Sequence, residues 1–414
     1  MTEGPRIRRA LTNVGGAVRT HGDPKLGAIF ASALERTAHE PPDVGTHGFH
    51  AWPARMHWAL PAAIFEALGV GGSRVLDPFA GGGTVLVEAM RAGALGTGID
   101  LNPLSALVVE TKCSLRHERD IDGFLETAAS VVEASLERVQ TRTMVTARLS
   151  RDDAALYAPH VLKELAGLLA EIDSVEGERD RRALAAIFSS LVVKLSKKKA
   201  DTSEEIVDKR LRKGLASELF ARKAEELSRR WQELRAHAPR DAEEPRLFTG
   251  DVRRAPDLLG SSYRADLVLT SPPYGGTYDY HAHHALRLAW LELDDRAFAR
   301  GELGARRSLR GPDAQRRFDA EVGQMLTSIR RVVRDDGLVV LVVGDAELGR
   351  QRISPIAQLD ALAARAGLSL IAGASEEKLD FRGGPPREEH VLGLAPLRGH
   401  SKPSNRARSR RSGG

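Results

Sequence analysis

The chain has little cysteine, few aromatic residues and no long apolar run. A single cysteine, Cys113, among 414 residues rules out an internal disulfide framework and a cysteine-based metal cluster. No run of about 18 apolar residues occurs, so no membrane-spanning helix is expected. The opening Met1-Thr2-Glu3-Gly4-Pro5-Arg6 lacks the apolar core of a signal peptide. Together these absences lead to the expectation of a cytoplasmic protein. Aromatics make up only 5%, so each Tyr or Trp near a motif stands out. No internal repeat is evident. What is present suffices for a sizeable fold: 42% of residues are hydrophobic. The net charge of +5 is compatible with a polyanionic partner without demanding one.

One stretch carries more chemistry than the rest. Ala265-Asp266-Leu267-Val268-Leu269 reads as a buried parallel strand and runs into Thr270-Ser271-Pro272-Pro273-Tyr274. Two prolines stop the strand and stiffen its carboxyl end, where open α/β sheets place their ligand crevice. Ser271 and the Pro272 carbonyl can accept hydrogen bonds from a planar amino group, and Tyr274 offers a face for a base. An exocyclic amino nitrogen is a poor nucleophile because its lone pair is delocalised into the ring. Two acceptors on its hydrogens favour a pyramidal, more nucleophilic nitrogen.

A second stretch, Ser73 to Met90, reads as a strand, a glycine turn at Gly81-Gly82-Gly83 and a helix. A further strand, Ala94 to Asp100, ends in an acid that can hold a ribose diol. The dinucleotide pattern G-x-G-x-x-G is absent. The Asp77-Pro78-Phe79 entry points instead to a ligand without a pyrophosphate.

These segments resemble the S-adenosylmethionine-dependent amino-methyltransferases that act on DNA. Asp-Pro-Phe-x-Gly-x-Gly-Thr, met at residues 77 to 84, is similar to that family's cofactor loop. Ser-Pro-Pro-Tyr at 271 to 274 is similar to its catalytic loop. Phe49 to His57 resembles the segment packed over the methionine end of the cofactor, and Thr249-Gly250-Asp251 the acid near its adenine. The resemblance covers roughly 49 to 111 and 246 to 395. It implies a doubly wound, Rossmann-like α/β methyltransferase fold and S-adenosylmethionine as cofactor. It implies Arg55, His57, Asp77, Phe79, Gly81, Gly83, Thr84, Asp100 and Asp251 as cofactor residues. Ser271, Pro272, Pro273 and Tyr274 are the implied catalytic residues, acting on a base extruded from double-stranded DNA. The Ser-Pro-Pro-Tyr form is similar to cytosine-N4 enzymes, whereas Asp-Pro-Pro-Tyr is commoner in adenine-N6 enzymes. Many cytosine-N4 enzymes carry the catalytic loop first, and this chain carries it second. Adenine-N6 transfer, transfer to RNA, transfer to a protein glutamine and a non-catalytic nucleic-acid-binding module stay open as alternatives. A restriction endonuclease partner is not readable from the residues.

The rest of the chain is organised around these motifs. Residues 1–45 form an N-terminal extension with a helical patch at 26–38, and 46–114 the cofactor half. Residues 115–245 read as a helical insertion, with apolar spacings of 3 and 4 through 124–139, 156–172 and 183–195. Residues 246–395 return to strands, the last two forming an antiparallel hairpin, and 396–414 form a basic tail expected to be disordered. The insertion is the candidate for target recognition. Lys197, Lys198, Lys199, Arg210, Arg212 and Lys213 could bind phosphates, although Glu204, Glu205 and Asp208 dilute the cluster, as on a solvated charged face. The tail arginines Arg406, Arg408, Arg410 and Arg411 could add non-specific attraction. His281, His283 and His284 open a helix without a matching carboxylate cluster, so no metal is expected. Asp279 and Tyr280 could shape a base pocket. Cys113 lies far in sequence from the catalytic loop, against a thiolate mechanism at cytosine carbon 5.

Overall fold

The computed structural model describes residues 15–378, apart from 142, 144, 349 and 350, and residues 387–397. Among the described residues the strands are β1 Gly15–Gly22, β2 Arg74–Asp77, β3 Leu95–Asp100, β4 Arg246–Thr249, β5 Ala265–Thr270, β6 Val333–Gly344, β7 Ala346–Leu348, β8 Gln351–Ile353, β9 Leu368–Lys378 and β10 Arg387–Pro396. Eight of them form one sheet in the order β1-β9-β10-β6-β5-β2-β3-β4, and β7 pairs with β8 in a small ribbon. From β6 to β4 the strands are parallel. The β9–β10 hairpin and β1 are antiparallel.

The central strands are near-continuous apolar runs because both of their faces are covered. Successive side chains go to opposite faces. Val75, Leu267, Leu269 and Val340 pack with Phe30, Leu34, Ile64 and Phe65 of the helices Pro24–His39 and Ala59–Leu68. Leu76, Val268, Val339 and Leu341 pack with Met325, Leu326 and Ile329 of the helix Ala314–Val332 on the other face. The chain runs outward from β2 through β3 to β4, then returns to place β5 on the other side of β2. That reversal is the topological switch point. It puts the carboxyl ends of β2 and β5, hence Asp77 and Ser271, side by side.

The strands read at 94–100 and 265–269 hold to within a residue at each end. β1 was missed. Its sequence, Gly-Gly-Ala-Val-Arg-Thr-His-Gly, holds one large apolar residue, and an edge strand needs little more. Its exit does need glycine. Gly22 has φ +78°, and a Cβ there would lie 2.2 Å from the Ile371 carbonyl oxygen. Asp23 then caps the following helix, accepting from the Leu26 amide at 2.9 Å. Residues 1–14 and 398–414, including the tail arginines, lie outside the described residues.

The insertion contributes the helices Glu118–Gln140, Pro159–Asp173, Glu178–Leu195 and Leu215–His237. Their common core holds Phe124, Leu165, Leu184, Phe188, Phe220 and Trp231, and the Trp231 indole donates to the Thr111 carbonyl at 2.7 Å. This core is shared with the sheet-bearing part. Leu104 and Val108 enter from the helix Pro103–Lys112, and Leu286 and Trp290 from the helix Tyr280–Trp290. The insertion therefore braces the helix that follows the catalytic loop.

Candidate active site

A cavity opens at the switch point. Its wall takes Asp77, Phe79, Gly81, Gly82 and Thr84 from the first motif, and Asp100 and Asp251 from the ends of β3 and β4. Ser271, Pro273 and Tyr274 come from the loop after β5, and Tyr280 and His284 from the helix beyond it. The two motifs touch. Buried Asp77 accepts from the Thr270 hydroxyl at 2.6 Å and from the Phe79 amide at 3.1 Å with the same oxygen. Asp100 accepts from the Gly81 amide at 2.6 Å and the Asn102 amide at 2.8 Å, one on each oxygen. Each carboxylate oxygen has a second lone-pair direction, so Asp100 can still take a diol.

The glycine loop is held from behind. Gly81 and Gly83 have φ of +48° and +78°, where a side chain is strained. The Ser105 hydroxyl donates to the Gly81 carbonyl at 2.7 Å, and the buried Lys112 amine donates to the Gly82 carbonyl at 2.5 Å. Burial pulls that amine down to about 7. On the cavity side Trp52 covers the loop: a Cβ on Gly81 would lie 3.1 Å from its Nε1, and one on Gly82 3.1 Å from its Cβ and Cγ.

Of the residues assigned from the sequence, His57, Gly83 and Pro272 do not reach the cavity wall, while Arg55, Asp251 and Tyr274 do. His57 does not line the cavity; its ring contacts the Glu40 carbonyl and accepts from the Ala59 amide, both at 3.2 Å. Arg55 reaches the wall, but its guanidinium is engaged with the His47 and Pro42 carbonyls and the Asp43 carboxylate. Gly83 is not a wall residue; a Cβ there would strike Val109 at 2.8 Å, so its role is close packing of two helices. Pro272 is buried behind the loop with Phe318, Met325 and Leu359. Asp251 lines the cavity, but both its oxygens are held by Arg253 at 2.6 to 2.9 Å, and it accepts from the Arg253 amide as a helix cap. Tyr274 lines the cavity while packing on Gly344, where a Cβ would meet its ring at 3.0 Å. Burial raises its phenol, and the Ser271 hydroxyl acts the other way.

The basic residues divide. Lys197 donates to the Ala155 carbonyl, Lys199 pairs with Glu205, and Arg212 with Glu218. Lys198, Arg210 and Lys213 have no ion pair among the described residues. The loop that carries the lysines is tied to the helix bearing Tyr280 and His284: Asp201 meets the buried Arg287 guanidinium at 2.5 Å. Sequence reasoning missed a second basic surface. Arg306 and Arg310, both exposed, line a groove with Gly276 and Thr277 of the catalytic loop. Their spacing in Arg306-Arg307-Ser308-Leu309-Arg310 carried no signal of it. His281 bonds Asp295 at 2.7 Å. Among the described residues no group of three metal-ligating side chains is found, and no helix is long and apolar enough to cross a membrane.

The wall suits S-adenosylmethionine in three respects. A Cβ on Gly81 or Gly82 would crowd the cavity lining. The buried Thr84 hydroxyl and both ring nitrogens of buried His284 have no partner in the protein. The acids suit a cationic ligand: burial raises Asp77 to about 7 and Asp100 to about 6, in each case against the hydrogen bonds they accept. A raised carboxyl is favoured protonated in the fold. The folded state then binds more protons than the unfolded chain from about pH 4 to about pH 7, and stability falls as pH rises through that window. A ligand bearing ammonium and sulfonium charge should expel this proton. Calorimetry near pH 6 in two buffers of different ionisation enthalpy is expected to show net proton release on binding. Asp77→Asn should diminish it and stabilise the ligand-free protein above about pH 7. Zero proton exchange in the wild type would refute the assignment.

No family model matches the chain. It is 25% identical over 248 residues to the type II methyltransferase M.AvaI of Nostoc sp., covering 56% of this chain and 51% of that protein. It is 32% identical over 90 residues to M.MjaII of Methanocaldococcus jannaschii, covering 22% of this chain and 16% of that protein. The chain thus spans about half the length, or less, of these curated relatives. A solved rRNA methyltransferase, aviRa from Streptomyces viridochromogenes, aligns at a TM-score of 0.33 and 13% identity over 86% of this chain and 94% of that one. Over part of its length the chain is thus similar to curated type II methyltransferases.

Proposed function

We propose that the protein methylates an exocyclic amino group of a base in double-stranded DNA, cytosine N4 ahead of adenine N6. One observation carries the reading. The Ser-Pro-Pro-Tyr loop and the glycine loop border one cavity, joined through the Thr270–Asp77 hydrogen bond. The bound cofactor supplies a methyl group on a sulfonium. Asp100 would hold its ribose, and Asp77, Phe79, Gly81 and Thr84 would line the rest of its site, which extends toward Asp251. The Ser271 hydroxyl oxygen, on the cavity wall, would accept from the target amino group and leave its nitrogen lone pair free for the methyl group. Tyr274 supplies the face for the extruded base. The preference for cytosine rests on serine at 271 in place of aspartate.

Polyanion binding is supported by two surfaces, the loop around Lys198 and the Arg306–Arg310 groove beside the catalytic loop. Replacing Lys197, Lys198 and Lys199 together with Ala should weaken DNA binding across sequences. It should flatten the slope of log affinity against log salt by about 0.9 for each phosphate no longer neutralised. Lys198 should account for most of the change, because its neighbours already have partners. An unchanged slope would mark this run as a solvated face.

Nucleoside mass spectrometry after incubation with isotope-labelled cofactor and double-stranded DNA tests the reaction. Label in N4-methylcytosine is expected. Label in methyladenine would overturn the base and keep the mechanism, whereas label only in RNA or only in protein would overturn the substrate.

A further inference from the structure

His284 has no task in the reaction as described, yet its position is unusual. It is fully buried, it lines the cavity, and neither Nδ1 nor Nε2 has a hydrogen-bond partner among the described residues. Buried polar atoms are seldom left so, and an orphan in a ligand cavity points to a ligand. Its ring packs on Trp52 with centroids 4.4 Å apart, and Trp52 in turn covers Gly81 and Gly82.

The sheet order locates this part of the wall. The strands run β5-β2-β3-β4, so their carboxyl ends present Ser271, Asp77, Asp100 and Asp251 in that spatial order. A cofactor with its ribose at β3 and its adenine toward β4 carries its amino-acid end over β2 and β5, beside Trp52 and His284. That end has a carboxylate and an ammonium. The Lys and Arg side chains of the wall cannot simply take the carboxylate, because Arg55 alone is there and its guanidinium is engaged elsewhere. Neutral donors are therefore required. Burial and the neighbouring Arg287 hold the His284 imidazole neutral, with one N–H and one bare nitrogen.

We propose that His284 is a positioning residue for the cofactor's amino-acid end, its N–H donating to the α-carboxylate and its other ring nitrogen accepting from the α-ammonium. The inference rests on the cofactor reading above and concerns a residue outside both sequence motifs.

The test is ligand binding by calorimetry, without turnover. Wild type, His284→Ala and His284→Gln are each titrated with S-adenosylhomocysteine and with 5′-methylthioadenosine, which lacks the amino-acid end. Thermal melts confirm that each variant is folded. His284→Ala is expected to weaken S-adenosylhomocysteine about tenfold, the loss of roughly one hydrogen bond, and to leave methylthioadenosine within about twofold. His284→Gln, whose amide can both donate and accept, should recover part of the loss. Equal losses for both ligands would reduce His284 to a structural role and overturn the proposal. Unchanged affinity for both would overturn it too, leaving the nitrogens to water or to the target base. Failure of the wild type to bind either nucleoside would instead remove the cofactor reading itself.

Discussion

Ser271→Ala is expected to slow methyl transfer on the order of 100-fold while cofactor affinity stays unchanged. The residue follows β5, whose Thr270 is anchored to Asp77, so its oxygen is held on a rigid strand end rather than on a free loop. The proposed interaction strengthens as the amino nitrogen becomes pyramidal, and it disappears with the hydroxyl. A single-turnover rate with saturating cofactor separates chemistry from binding. A rate within about threefold of wild type would remove Ser271 from the mechanism. Tyr274→Ala should also impair turnover, because base stacking is worth about 1–3 kcal/mol. The structure adds a second cost, since the ring also fills the space over Gly344. Tyr274→Phe keeps both the stacking face and the packing, so it should retain most activity. If Tyr274→Phe falls as far as Tyr274→Ala, the hydroxyl rather than the ring face is what matters.

Gly81→Val is expected to abolish measurable cofactor binding in a protein that still folds. From the motif alone, the new side chain would intrude on the ligand. The structure gives a different cause. At φ +48° a β-branched residue is strained by about 1–3 kcal/mol, and its Cβ would press on the Trp52 indole. The loop must then move, or Trp52 must. Movement of the loop breaks the hydrogen bond from the Gly81 amide to Asp100, and movement of Trp52 narrows the cavity. Calorimetry on the variant, with a melt to establish folding, decides the matter. Undiminished affinity would show that residues 77 to 84 do not form the cofactor loop. Gly81→Ala paired with Trp52→Ala separates the two causes: recovered binding in the pair would assign the defect to the indole rather than to backbone strain.

Much of the site was legible because its chemistry is written in consecutive residues. Asp77 to Thr84 and Ser271 to Tyr274 each combine a strand end with a turn that few other sequences make, and both occupy the cavity wall. The helices of the insertion were legible from their apolar spacing. The errors fall where a residue type is right but its surroundings decide its use. Arg55 and His57 sit in the upstream motif, yet nearby carbonyls and Asp43 engage them, and no spacing rule reports which way a side chain turns. Gly83 matches the pattern but serves packing against Val109, a residue far along the chain. Half of the basic cluster is paired with acids or carbonyls that close only in three dimensions.

The sequence alone determined the parallel α/β sheet, through its apolar strands and glycine turn, and the two loops that meet at its switch point. Local periodicity and backbone restriction by proline and glycine act within a few residues, so they can be read without a fold. Only the tertiary structure decided how those loops are joined and what completes the wall. The Thr270–Asp77 hydrogen bond spans 193 positions, and the Lys112 and Ser105 hydrogen bonds that hold the glycine loop come from another helix. The burial that raises Asp77 and leaves His284 without partners is likewise set by packing against distant elements. Hydrogen bonding and desolvation depend on which atoms converge, and convergence is a property of the folded chain.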